Sequence, residues 1–290
     1  MLGRLVVISF LLFSLAIEVQ LEKLEEPECG FFDEVQMVAP EAIPSEHQWV
    51  VRIVVVDKGA LDNTCLGVLV SKRTVLAPAH CFVKFNRDAK AFSVHLGVHN
   101  KSAPVGVPFC FSNGYCVRPA QEIRLSEVAV HPEFDPKTLQ NNLAVLTLQQ
   151  DAKLGQNVMP ICMPPPQLAN ETLKKIASQT FVVAGLSYWK DLKQKTWVTT
   201  HSRSFCQSRN NKLLTGSNTL CGYHTRAEGF YYGAPLVGMQ VKGHVTQNYY
   251  LVGFQIDIKW DNKRMLASFL AIRNYLDFIH KNSDSLIVRP

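Results

Sequence analysis

Three short stretches of this chain hold the side chains best able to do chemistry: Leu76-Ala77-Pro78-Ala79-His80-Cys81, Asn141-Asn142-Leu143-Ala144-Val145-Leu146 and Gly229-Phe230-Tyr231-Tyr232-Gly233-Ala234-Pro235-Leu236-Val237. His80 can take and return a proton near neutral pH. A hydroxyl within its reach would become a nucleophile. The hydroxyls of the third stretch are phenols, on Tyr231 and Tyr232. Tyrosine serves as the nucleophile in some glycosidases, but its oxygen stands far out on a rigid ring and overshoots a position built for a short side chain. Filling space is therefore the stronger reading of Tyr232. The chain also has eight cysteines. None belongs to a Cys-x-x-Cys pair, so no metal site is expected from them and no cofactor is implied.

These residues must be positioned by a chain that reads as secreted and rich in strands. Met1 to Ala16 combine a charge at Arg4, an apolar run from Leu5 to Leu15 and small residues at Ser14 and Ala16. That is the layout of a secretory leader, too short to span a membrane. No other run approaches the roughly 18 uninterrupted apolar residues of a spanning helix, so an extracellular chain with no transmembrane segment is expected. Eight cysteines behind a leader should all be paired, although their spacing leaves the connectivity open.

The hydrophobic content of 47% can build a core, while 16 Gly and 15 Pro supply turns. Short runs rich in Val, Ile, Phe and Thr predict strands over Trp49 to Val56, Thr74 to Leu76, Phe92 to Leu96, Leu143 to Leu148, Phe181 to Ala184 and Leu251 to Ile256. Phe269, Ile272, Leu276 and Ile279 recur at spacings of three and four, which predicts an amphipathic helix over Ala267 to Lys281. The net charge of +6 is modest. Its basic residues in Lys190 to Lys195 and Lys259 to Arg264 read as solvated loops, and without an aromatic-interleaved basic stripe a nucleic-acid partner is excluded. Asn100-Lys101-Ser102 and Asn170-Glu171-Thr172 fit the glycosylation acceptor pattern of exposed loops.

The three stretches, in this order, resemble the signature segments of chymotrypsin-like serine proteases of the trypsin family, insect members in particular. Leu76 to Cys81 is similar to Thr-Ala-Ala-His-Cys, which carries the catalytic base. Asn141 to Leu146 is similar to Asn-Asp-Ile-Ala-Leu-Leu, with Asn142 in place of the orienting aspartate. The third stretch is similar to Gly-Asp-Ser-Gly-Gly-Pro-Leu, with Phe230, Tyr231 and Tyr232 in place of its glycine, aspartate and nucleophilic serine. Glu46-His47-Gln48-Trp49-Val50-Val51 resembles the Glu-Phe-Pro-Trp-Met-Val that opens the first barrel in insect relatives.

The resemblance implies an all-β fold of two antiparallel six-stranded barrels closed by a C-terminal helix. The organisation it suggests is a leader over 1–16, an extension over 17–46 tethered through Cys29, and a double barrel over 47–290. It also implies the disulfides Cys29–Cys162, Cys65–Cys81, Cys110–Cys116 and Cys206–Cys221. A pocket would be bordered by Phe230 and Tyr231, with Arg226 where trypsin-like relatives keep an acidic specificity residue. The family's usual disulfide beside that pocket is missing, Glu228 standing near one of its positions. Of the catalytic set only His80 remains. No Lys or Arg lies between Lys23 and Arg52, and Gln36-Met37-Val38-Ala39 replaces the family's cleavage and insertion sequence. The expectation is a secreted, non-catalytic homologue without a clip module, since only Cys29 precedes the barrels. Its partner would be an extracellular protease, an inhibitor or a surface ligand, in an immune, developmental or reproductive setting. The competing readings are an active endopeptidase with an unusual catalytic set and a carrier that holds a small apolar ligand in the former pocket.

Overall fold

The computed structural model describes residues 29–32, 41–56, 65–83, 87–166 and 176–283. The predicted leader, the Gln36–Ala39 segment and the predicted sequon at Asn170 lie outside them. The first barrel is built from β1 (Val50–Val55), β2 (Leu66–Leu69), β3 (Thr74–Ala77), β4 (Phe92–Leu96), β7 (Gln121–Val130) and β8 (Ala144–Leu148), closed in the order β1-β2-β3-β8-β7-β4. Between β4 and β7 a two-stranded sheet pairs β5 (Phe109–Cys110) with β6 (Cys116–Val117). The second barrel runs β10-β11-β14-β13-β12-β9, from β9 (Thr180–Gly185), β10 (Gln194–His201), β11 (Thr219–His224), β12 (Pro235–Lys242), β13 (Val245–Asp261) and β14 (Arg264–Ala271).

The sequence explains the difference between strands. β1 is β-branched almost throughout and every residue is buried, whereas β7 buries Ile123 and Leu125 and exposes Arg124 and Ser126, the alternation of an antiparallel strand with one wet face. Trp49, Phe82, Phe92, Phe230, Phe254 and Phe269 are among the largest fully buried side chains. Each contributes about 1.5–3 kcal/mol of apolar burial. Short helices α1 (His80–Val83), α2 (Arg203–Arg209) and α3 (Leu276–Lys281) interrupt or end the strands.

Two readings of the sequence need correction. The predicted helix over Ala267 to Lys281 begins later: Ala267 to Ala271 complete β14, Ile272–Tyr275 form a 3-10 turn, and only Leu276–Lys281 are α-helical. Residues 265–271 are buried throughout and pair with β11 and β13, so barrel closure overrides the helical spacing of Phe269 and Ile272. The basic stretches are not simply solvated loops either. Lys193 and Lys195 are buried, at 3% and 6% exposure. Lys195 Nζ pairs with Glu46 Oε1, and Lys193 Nζ donates to the Glu46 and His47 carbonyls. Lys259 to Arg264 form the tip of a long hairpin rather than a loop, closed by a tight turn with Asn262 at φ 55°.

Disulfides join Cys29 to Cys162, Cys65 to Cys81, Cys110 to Cys116 and Cys206 to Cys221. The first holds Gly30 where its amide donates to Pro160 and its carbonyl accepts from Tyr249. The second clamps the end of β3, and therefore α1 with His80, against the start of β2.

Candidate functional site

His80 opens α1 directly after β3, and Asn142 lies just ahead of β8, the strand that pairs with β3. That pairing brings the two side chains together. Asn142 is fully buried, and its Oδ1 accepts from the His80 backbone amide at 2.9 Å. Its Nδ2 lies 2.9 Å from His80 Nδ1. His80 Nδ1 also lies 3.3 Å from Asn142 Oδ1; an amide nitrogen can only donate, so the shorter Nδ2 contact favours Nδ1 as acceptor, with the ring proton on Nε2. Burial holds the His80 pKa below its ordinary range, with the Asn142 hydrogen bond opposing that shift. Burial thus favours the neutral imidazole.

Tyr232 meets this histidine through its ring. The two ring centroids are 5.1 Å apart at 88°, an edge-to-face contact. Burial also pushes the Tyr232 phenol up, so it keeps its proton. The backbone is fixed on both sides: the Tyr232 carbonyl accepts from the Leu66 amide at 2.6 Å, and Gly233 donates to Gln255 O at 2.7 Å. Gly233 has φ 88°, and a Cβ there would stand 2.0 Å from Leu66 O. Only glycine fits this turn.

Phe230 and Tyr231 fill space rather than line an open pocket, at 1% and 8% exposure. The Phe230 amide, which the protease resemblance would place as an oxyanion donor, bonds to Glu228 O at 3.1 Å. The Tyr231 amide bonds to Leu186 O at 3.0 Å. Tyr231 packs edge-on to Tyr188 at 4.7 Å, and Lys101 Nζ lies 5.9 Å from its ring centre. Arg226 is exposed, its guanidinium donating to Lys195 O at 2.7 Å. Glu228 is buried, receives Ser187 Oγ at 2.5 Å and pairs with Lys190 at 3.5 Å.

Residues missed in the sequence complete the cover. Tyr188, Trp189 and Trp260 are each about half exposed, and the indoles of Trp189 and Trp260 stack at 6.2 Å. Trp189 also lies against Gly229, where a Cβ would meet its ring at 3.1 Å. The adjacent aromatic pair Tyr188-Trp189 was the available signal, but nothing in its spacing tied it to the stretch around Tyr232.

Cys65, His80 and Cys81 are grouped closely enough to suggest a metal site. The two sulfurs are bonded to each other, which removes them as thiolate ligands. The sequon residue Asn100 is half-buried in a bridge to Leu192, and its side chain accepts from the Ser102 amide.

Comparison with known proteins places this geometry in context. The family model for trypsin matches residues 39–237. Tissue-type plasminogen activator of Mus musculus is 27% identical over 264 residues, 82% of this chain and 43% of that protein. CLIP domain-containing serine protease B9 of Anopheles gambiae is 26% identical over 196 residues, 63% of this chain and 48% of that protein. Phenoloxidase-activating factor 3 of Holotrichia diomphalia is 24% identical over 274 residues, 89% of this chain and 75% of that protein. The chain thus spans less than half the length of the first two.

Proposed function

The chain belongs to the trypsin family, and we propose that it is a secreted member that binds other extracellular molecules and does not hydrolyse peptides. The observation that carries this reading is the contact between Asn142 Nδ2 and His80 Nδ1. Hydrolysis on this scaffold needs a histidine that accepts a proton from a hydroxyl, and a carboxylate behind it to hold the productive tautomer. An uncharged amide in that place cannot stabilise an imidazolium, and its Nδ2–H at 2.9 Å favours the opposite tautomer. The same replacement costs about 10⁴ in turnover in a well-studied serine protease.

Two further features support the reading. Tyr232 offers a protonated phenol in an edge-on ring contact where a short hydroxyl side chain would be needed. The Phe230 amide, engaged with Glu228, is turned away from oxyanion stabilisation. Four disulfides fit an oxidising compartment, and among the described residues no helix is long and apolar enough to cross a membrane. Phe230 and Tyr231 occupy the space that a small apolar ligand would need, which disfavours the carrier reading.

The partner we propose is an extracellular protease, its inhibitor or its substrate, held on the cleft face around Tyr188, Trp189 and Trp260. The test is turnover of peptide and ester substrates with acidic, basic and apolar side chains, combined with mass spectrometry of proteins cross-linked to that face. Absence of turnover with a cross-linked protease or inhibitor supports the proposal; His80-dependent turnover overturns it.

A further inference from the structure

Away from the His80 contact set, the structure contains a groove of about 630 Å3, a volume typical of ligand clefts. One lip is the segment from Glu133 to Asn141, between β7 and β8 of the first barrel; the other is Asn211 to Thr219, between α2 and β11 of the second. A polar lock joins the lips. Tyr275 Oη donates to Asn141 Oδ1 at 3.1 Å and accepts from Asn218 Nδ2 at 3.3 Å. Asn141 Nδ2 then donates to Glu133 O at 3.1 Å. Leu139 and Asn141 sit in the left-handed backbone region, at φ 54° and 52°, a strained shape that this lock holds in place.

The chemistry of the lining selects the ligand. The backbone amides of Leu139, Lys212, Leu213, Leu214, Gly216 and Thr219 all donate within the protein. The neighbouring barrels are closed, so no free strand edge is offered to an extended peptide. Side-chain groups, in contrast, remain available: among the described residues, the carboxamides of Gln140, Gln207 and Asn211 and the hydroxyl of Ser217 have no recorded partner. Lys137 and Lys212 are offset by Glu133 and the adjacent Asp135, which leaves the groove near neutrality. Leu139 is half-buried, while Leu213 and Ile256 are buried beneath the groove floor. Many amide and hydroxyl groups, one half-buried leucine and little net charge match a ligand that is polyhydroxylated and uncharged.

We propose that this groove binds an uncharged oligosaccharide, with Gln140 from the first lip and Gln207 from α2 holding its hydroxyl or acetamido groups. The site stands whether or not the His80 cleft is catalytic. The test is saturation-transfer NMR and calorimetry of the full chain with tetra-N-acetylchitotetraose and with maltotetraose. At least one should bind. The exposed double variant Gln140→Ala/Gln207→Ala should weaken it by about tenfold or more, through two lost hydrogen bonds, without changing the unfolding temperature. Absence of saturation transfer from both sugars at millimolar concentration would overturn the proposal. So would an affinity unchanged in the double variant, or binding of an extended decapeptide pool to the groove with neither sugar bound.

Discussion

Replacing Asn142 by aspartate should reverse the protonation pattern of His80. In the native protein the nearer Asn142 contact to Nδ1 is the amide nitrogen at 2.9 Å, which favours Nδ1 as acceptor, and burial favours the neutral ring. A carboxylate in the same place turns that contact around, so that Nδ1–H donates and Nε2 is left bare. A charge about 4 Å from the ring centre contributes roughly 4 kcal/mol at an effective dielectric constant near 20. Solvent reaching the partly exposed imidazole reduces this, and we expect the His80 pKa to rise. The stability consequence follows in sign. With its folded pKa below the unfolded value near 6.5, native His80 loses stability as pH falls through that value. In Asn142→Asp that loss should shrink or reverse. Long-range nitrogen–proton NMR of the imidazole reads the tautomer directly, with His80→Gln assigning the resonance. The native protein should show the proton on Nε2 and the variant should show it on Nδ1. Finding the native proton on Nδ1 would refute the argument from Asn142.

The remaining predictions concern the buried lysine and the repair of the cleft. Lys193, lowered to about 7 by burial, is neutral in the fold and charged in the unfolded chain between pH 7 and 9. Stability should therefore rise by about 2–3 kcal/mol across that window, as read by urea denaturation, and Lys193→Met should abolish the rise; a flat native profile would contradict the burial of this amine. Tyr232→Ser with Asn142→Asp restores the side-chain types of a catalytic triad, yet it should give no measurable peptide or ester turnover, because the Phe230 amide stays bonded to Glu228 O. Adding Phe230→Gly and Tyr231→Asp with a cleavable Arg-Ile-Val-Gly-Gly junction should be required; turnover by the two-residue variant alone would show that the oxyanion and activation elements are intact.

The double barrel was legible in the sequence because its signature segments sit at strand ends, where pairing of β3 with β8 must bring His80 to Asn142. The terminal helix was only half legible. Phe269 and Ile272 have helical spacing, but a strand buried on both faces leaves the same apolar run without alternation. Lys193 and Lys195 misled for a different reason: their burial depends on Glu46, about 150 residues earlier in the chain, and no local pattern records that pairing. The aromatic cover was invisible for the same cause. Trp189 and Trp260 come from separate segments and meet only when the hairpin of β13 and β14 folds beside the segment that follows β9.

The central claim, that this cleft binds and does not cleave, is tested most directly by reaction of the mature protein with a fluorophosphonate probe, with an active trypsin-family enzyme as the positive control. The label requires a serine activated by a histidine and an oxyanion hole. With Tyr232 against His80 and the Phe230 amide engaged, no residue should be labelled. Stoichiometric labelling of a serine that disappears in His80→Gln would contradict the account.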